Sequence, residues 1–187
     1  MSDSRDGAGR AAQAGRKRAK AETGQGSAKA RRSAARLAAV QALYQIDLAG
    51  ATVDRVVAEF IQHRIGKEQD GDEFVPADAP MFTEIVRGAT TRKADVDGIL
   101  SEALDAGHSF ERLEHLLRAI LRAGCFELMA HQHIHSRIVI SDYINIAHAF
   151  YAGREPGLVN GVLDRVGRNL RASELEGGEA AGDPEAG

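Results

Sequence analysis

Apolar residues in this chain recur at intervals of three and four, and no stretch alternates them convincingly with polar residues at a period of two. That spacing lines one face of a helix and leaves no pleated strand to pair, so an all-α fold is predicted. The first stripe is Leu37, Val40, Tyr44 and Leu48, in a helix that ends near Ala49-Gly50, where glycine serves as a C-cap. Thr52 is placed to cap a second helix carrying Val53, Val56, Val57, Phe60 and Ile61, which fades at Gly66. Residues 66–80 are acidic, with two glycines and two prolines, and read as a loop. A third helix runs from Met81 to about Lys93, and a fourth, with Val96, Ile99, Leu100, Ala103 and Leu104, ends at Gly107. Ser109 with Glu111 marks the start of the fifth and most apolar helix, which carries Leu113, Leu116, Leu117, Ile120, Leu121, Gly124, Cys125, Leu128 and Met129. A sixth starts between Ser136 and Ser141 and continues to Gly153. Pro156 suits the first turn of a seventh, with Leu158, Val159, Val162, Leu163, Val166 and Leu170.

An interior built this way is aliphatic. There is no Trp, and only 5% of residues are aromatic, so Leu, Ile, Val and Ala must fill the core, as they do in helical bundles. A length of 187 residues suits one domain or two small units sharing a core. The single cysteine excludes an internal disulfide and fits a reducing compartment, so a cytoplasmic protein is expected. No run approaches a membrane span, and no apolar segment follows the basic N-terminus, which argues against a secretory signal. An arginine-rich transit peptide is the remaining rival for that end.

The net charge of −3 conceals an asymmetry. Residues 1–36 carry ten Lys or Arg against Asp3, Asp6 and Glu22, whereas residues 173–187 carry five acids and no base. Both ends lack large apolar residues and cannot repay the entropy of ordering, so 1–28 and 173–187 are expected to be disordered tails around a folded region, 29–172. The stretch from Lys29 to Leu48 joins the basic end to the first amphipathic helix without a break. Lys29, Arg32 and Arg36, at i, i+3 and i+7, form a ridge of cations on its first turns. Cations there oppose the helix dipole, so stability does not explain them and a polyanionic ligand does. A solubilising tail is the plainer alternative.

No catalytic constellation is visible. The HQHIH run at 131–135 brings three histidines close in sequence, but it lacks the HExxH pattern and an orienting acid, and a helix C-terminus has its own use for histidine. No metal or other cofactor is expected. Cys125 lies within the most apolar helix and reads as a small core residue, and Ser136 and Ser141 lack a GxSxG setting. Gly161, inside an apolar helical pattern, costs about 1 kcal/mol relative to Ala. Close approach of another helix explains it better than ligand contact, while Asn160 beside it has a side chain able to reach a base edge or a backbone group.

AVQALYQIDL at 39–48, FTEIVRGATTRKADVDGIL at 82–100, ILRAGCFEL at 120–128 and LVNGVLDRV at 158–166 follow an arginine-rich start in that order. In this combination the chain resembles the NusB family of transcription antitermination factors, in register from about Lys29 to Ala172. The resemblance implies about seven helices in two small packed bundles and no enzymatic activity. It implies pairing with NusE, a small-subunit ribosomal protein, and binding of single-stranded boxA RNA. The resulting complex helps RNA polymerase read through terminators in ribosomal RNA operons. By the same resemblance, Lys29, Arg31, Arg32 and Arg36 on the first helix and Arg154, Leu158 and Asn160 at the start of the last contact RNA. Tyr44, Leu117 and Arg118 meet the partner.

Two departures from the family pattern stand out. Ser33, Ala34 and Ala35 occupy positions where a denser arginine run is common, and Leu117 stands where an acidic partner contact is expected. Three other readings compete. A homodimeric adaptor would bury the arginine face and bind no RNA. The N-terminal module of an RNA cytosine methyltransferase would need a Rossmann-like domain. A DNA-binding repressor would carry its arginines on a recognition helix rather than beside a disordered arm.

Overall fold

The computed structural model describes residues 26–65, 75–105, 107 and 109–172. Among them are seven α-helices and no strand: α1 (Ala28–Ala49), α2 (Val53–His63), α3 (Ala79–Thr91), α4 (Lys93–Ala103), α5 (His115–Ala130), α6 (Ser136–Phe150) and α7 (Glu155–Leu170). Helices α1 to α3 pack as one bundle and α4 to α7 as another, with α1 lying along both α3 and α5. The expected tails, up to residue 25 and from 173, lie outside the described residues.

Local chemistry sets most of the helix ends. The Ser27 hydroxyl accepts a hydrogen bond from the Ala30 amide at 3.1 Å, and Gly50, at φ 60°, lets its amide return to the Ile46 carbonyl at 3.0 Å. Helix α3 begins at Ala79, earlier than its apolar stripe suggests, because the Asp78 side chain accepts from the Met81 amide and Pro80 fits the first turn. Only Arg92 separates α3 from α4. Helix α4 stops at Ala103 rather than Gly107. The fifth helix starts later than Ser109: Phe110–Arg112 form a separate 3-10 turn, and the Glu114 side chain accepts from the Leu116 amide to start α5 at His115. Leu113 is therefore outside the helix.

Helix α5 is the shared axis. Every residue from Ala119 to Leu128 is buried, as expected of a helix surrounded by others. Close approach depends on Gly88 in α3 and Gly124 in α5. A Cβ on Gly88 would stand 2.0 Å from Cζ of Phe126, and one on Gly124 would stand 2.7 Å from Cδ1 of Leu163. Gly161, where the sequence pattern suggested such an approach, is exposed with nothing within 4 Å of a built Cβ. In the N-terminal bundle Phe60 stacks on Phe82 with ring centroids 5.5 Å apart. At the far end of α5, buried Arg171 donates to the carbonyls of Leu128 (2.7 Å), Glu127 (3.2 Å) and Ile134 (2.7 Å), closing the helix terminus with a side chain from beyond α7.

These glycines should respond in opposite directions to one methyl group. Gly88→Ala is expected to lower stability by about 1–3 kcal/mol through overpacking against Phe126. Gly161→Ala should raise it by about 1 kcal/mol through helix propensity alone. Urea unfolding of the two variants beside the parent measures both.

Candidate nucleic-acid interface

The first two turns of α1 present Lys29, Arg31 and Arg32 to solvent. No acidic residue lies in the first turn to neutralise them. One turn further on, the geometry reverses. Arg36 is only 2% exposed and does not share the outward ridge that its spacing suggested. Its Nε donates to Glu127 at 3.1 Å (Oε1) and 2.9 Å (Oε2), its Nη2 also donates to Glu127, and its Nη1 donates to Asp142 Oδ2 at 2.6 Å. The Tyr143 hydroxyl donates to Glu127 at 3.0 Å and the Ser33 hydroxyl to Asp142 at 2.8 Å. Arg36 is thus removed from the expected RNA contacts. It lies at the inner wall of the α1–α6 cleft, committed to carboxylates from α5 and α6 rather than to the surface.

Burial by itself would push the Glu127 carboxyl up. The nearby His131 ring, hydrogen bonds from Arg36 and Tyr143, and the Arg36 charge outweigh it and hold the group below its ordinary value. Burial would likewise lower Arg36, yet the Glu127 contact leaves it raised. His131 is raised by its contact with Glu127, against an opposing effect of burial and with help from Glu84. Its Nε2 lies 3.1 Å from Glu84 and its Nδ1 3.7 Å from Glu127. Of the HQHIH histidines, His131 is therefore used within the fold, while His133 and His135 are exposed. Among the described residues, no three His, Cys, Asp or Glu side chains converge as a metal site. Burial pushes the Cys125 thiol up to about 12, so it stays protonated at neutral pH and is no nucleophile.

Beside the exposed arginines is a cleft of about 680 Å³ between the head of α1 and the start of α6, lined by Lys29, Arg32, His133, His135, Arg137 and Ile138 among others. The sequence reading missed Arg137 and the two histidines. Their positions 101 or more residues from the α1 cations carry no periodic signal linking them, and only the pairing of α1 with α6 brings them together.

Arg154 and Asn160 are exposed, and Leu158 is half-buried against the core. They do not join the α1 cations directly. Arg137, at the start of α6, shares the cleft of Lys29 and Arg32, whereas Arg154 follows the C-terminal end of that helix. The intervening helix of 15 residues is about 22 Å long.

The residues expected at a protein partner also divide. Tyr44 is half-buried and lines a groove of about 480 Å³ with Gln41, Leu48, Leu116 and Phe150. Leu48 and Phe150 are 57% and 45% exposed, a large apolar surface for positions beside a core. Leu117, by contrast, is 4% exposed and belongs to the core, which corrects its expected place at the surface. The neighbouring Leu116, rotated about 100° around α5, takes the groove. Arg118 is mostly covered: it donates to Asp47 at 2.8 Å and to the Glu111 carbonyl at 3.1 Å. Asp47 also meets Arg122 at 3.2 Å and His115 at 2.9 Å. Burial would raise its carboxyl, but His115 and these arginines hold it below the usual range.

A family model described as the NusB family matches residues 33–168. A protein of Bradyrhizobium sp. strain BTAi1 named Transcription antitermination protein NusB is 46% identical over 145 residues, 78% of this chain and 86% of the relative. A protein of the same name from Rhodopseudomonas palustris strain BisB5 is 47% identical over 142 residues, covering 76% and 82% of the two chains. Among solved structures, T. maritima NusB aligns with a TM-score of 0.63 at 24% identity, covering 77% of this chain and 96% of that one. A second, of antitermination factors NusB and NusE in complex with dsRNA, aligns at 0.62 and 23%, covering 73% and 96%. At such identities these two establish the shared fold.

Removing the guanidinium that closes the buried cluster leaves two carboxylates without their counter-charge. Arg36→Met is expected to cost about 3–5 kcal/mol in urea unfolding. Adding Glu127→Gln and Asp142→Asn should recover most of that loss. The cluster also shapes the pH profile. Stability contributed by His131, whose pKa is raised on folding, is fully present below about 6.5 and lost as pH rises through its folded value. That of Glu127 and Asp47, whose pKa values are depressed, is present above the ordinary carboxylate range and lost as pH falls through their folded values. The midpoint of urea unfolding against pH should therefore fall on both sides, and His131→Gln should flatten the alkaline side and, because His131 helps to depress Glu127, reduce the acid side in part.

Proposed function

The chain belongs to the NusB family, and from that premise we infer that it is a transcription antitermination factor that binds RNA together with a NusE-type protein. It is a binding protein and not an enzyme. The observation that carries the RNA reading is the set of outward cations at the head of α1, Lys29, Arg31 and Arg32, fixed by a capped and buried helix. Cations held in this way meet phosphates without first having to be ordered. A NusB of the same fold solved together with NusE and dsRNA supports the two classes of partner. No helix among the described residues is long and apolar enough to cross a membrane.

Finer assignments follow as part of the same proposal. The RNA is a single strand of the boxA type from ribosomal RNA operons, and the RNA-bound pair acts on RNA polymerase in the cytoplasm. Lys29, Arg31 and Arg32 take its backbone, and Arg154, Leu158 and Asn160 lie on the same path. The NusE-type protein covers the groove of Tyr44, Leu48, Leu116 and Phe150. Exposed apolar residues around a half-buried tyrosine, with Gln41 at the edge, have the composition of an interface core. RNA and partner then occupy different parts of α1, its head and its tail, and one rigid rod presents both.

Titration of a labelled boxA-type RNA with the protein and a NusE-type partner tests this reading. Affinity should fall steeply with salt, and Arg31→Ala and Arg32→Ala should each lower the log–log slope by about 0.7 for every phosphate contact removed. Leu48→Ser and Phe150→Ser should weaken partner binding by about 1–2 kcal/mol each while leaving helical content unchanged. RNA binding that survives loss of both arginines with its salt slope intact would refute the assignment.

A further inference from the structure

We propose that the outward face of α6, carrying Arg137, Ser141, Asn145 and His148, is the track along which an RNA strand passes from the head of α1 to the start of α7. This rests on the RNA reading above and adds a surface between two clusters that the fold holds apart. The four residues are exposed and fall at i, i+4, i+8 and i+11, one continuous line on the helix. The line begins beside Lys29 and Arg32, where Arg137 shares their cleft, and ends at the turn leading to Arg154. From Arg137 to His148 the line is about 16 Å long, which matches roughly five nucleotides at the 3.4 Å spacing along a stacked strand.

The charge pattern selects a polyanion for this face. From Leu128 to Arg154 the sequence contains one carboxylate, Asp142, in a protein whose acids outnumber its Lys and Arg by 27 to 24. The fold removes that carboxylate from the surface: Asp142 is 8% exposed and bound by Arg36 and Ser33. Glu127, just before the stretch, is wholly buried against Arg36. At its borders Glu84 meets His131 and Glu114 the Tyr151 hydroxyl, and Glu155 stands in the first turn of α7, beyond the end of the line. What remains outward is a guanidinium, a hydroxyl, an amide and an imidazole. A hydroxyl and an amide both donate to phosphate oxygens, and the amide also donates to and accepts from base edges. Ile138, half exposed beside Arg137, adds an apolar seat in the cleft.

Arg36 thereby acquires a role different from the one its spacing suggested. It serves the RNA face as a positioning residue, by drawing two carboxylates inward so that the outer surface of α6 carries no negative charge.

Ser141→Glu and Asn145→Glu place a carboxylate on the track at exposed positions, and Gln62→Glu places the same charge on the exposed side of α2. With the NusE-type partner and a labelled boxA-type single-stranded RNA, each α6 variant should lose at least about tenfold in affinity, as expected for like charges brought together. Gln62→Glu should bind as the parent does. Arg137→Ala should lower the salt slope by about 0.7. Circular dichroism and titration of the partner protein alone should be unchanged in all four variants. If the α6 variants bind RNA no more weakly than Gln62→Glu, the track is wrong while the α1 cations keep their role. If they lose partner binding and retain RNA contact, α6 is a protein surface and the proposal is overturned. Failure of the parent to bind RNA at all, with partner present, removes the RNA reading and this inference together.

Discussion

A guanidinium enclosed between two carboxylates sets the relation of the three helices that matter most. Arg36 comes from α1, Glu127 from α5 and Asp142 from α6, and each loses its water on folding. Such a cluster adds little net stability over apolar residues of the same size, because desolvation consumes most of the attraction. It adds discrimination between packings. A shift of α1 by one turn along α5 would leave two buried carboxylates and a buried cation unpaired, a state costing several kcal/mol, whereas a shifted aliphatic seam would cost far less. In a core with so few aromatics, this polar junction supplies a register that Leu and Val alone leave loose.

That register places the two ends of α1. At its head, fixing Arg36 inward turns Arg31 outward, since five positions are about 140° of helix rotation, while Arg32, one turn before Arg36 on the same side, opens into the cleft beside α6. At its tail, Asp47 meets Arg118, Arg122 and His115 near the start of α5, and these contacts hold Tyr44 and Leu48 beside Leu116 and Phe150. The second polar cluster thus does for the groove what the first does for the cations. Both bridge the N-terminal bundle to α5, so the positions of the two surfaces relative to each other depend on one helix pair.

Much of this was legible in the sequence. The seven helices followed from the three-and-four spacing, and the limits of α1 from the C-cap glycine at Gly50. Helix starts were less legible, because Asp78 and Glu114 act through side-chain caps that compete with equally plausible neighbours such as Ser109. Face assignment was least legible. Arg36 and Arg32 differ in sequence by nothing that marks one for burial; the difference lies in Glu127, 91 positions away from Arg36. Leu116 and Leu117 are adjacent and chemically identical, so only the packing of α5 against its neighbours decides which one is covered. Gly124 and Gly161 look alike as interruptions of an apolar stripe, and only the proximity of Leu163 distinguishes them.

The same reasoning explains why position 36 asks for arginine in particular. Its fork presents Nε and Nη2 to one carboxylate and Nη1 to another, two acceptors on different helices. A lysine ammonium is a single point of charge on a flexible stem and cannot meet both with that fixed geometry. An arginine next to a basic patch therefore has two uses that composition cannot separate: it adds a positive charge to the surface, or it withdraws negative ones from it. For a polyanion arriving at α6 the second is electrostatically comparable to the first, because the field it meets is the sum over exposed charges of both signs. Here the fold commits Arg36 to withdrawal, and the surface it clears is continuous with the cations that remain.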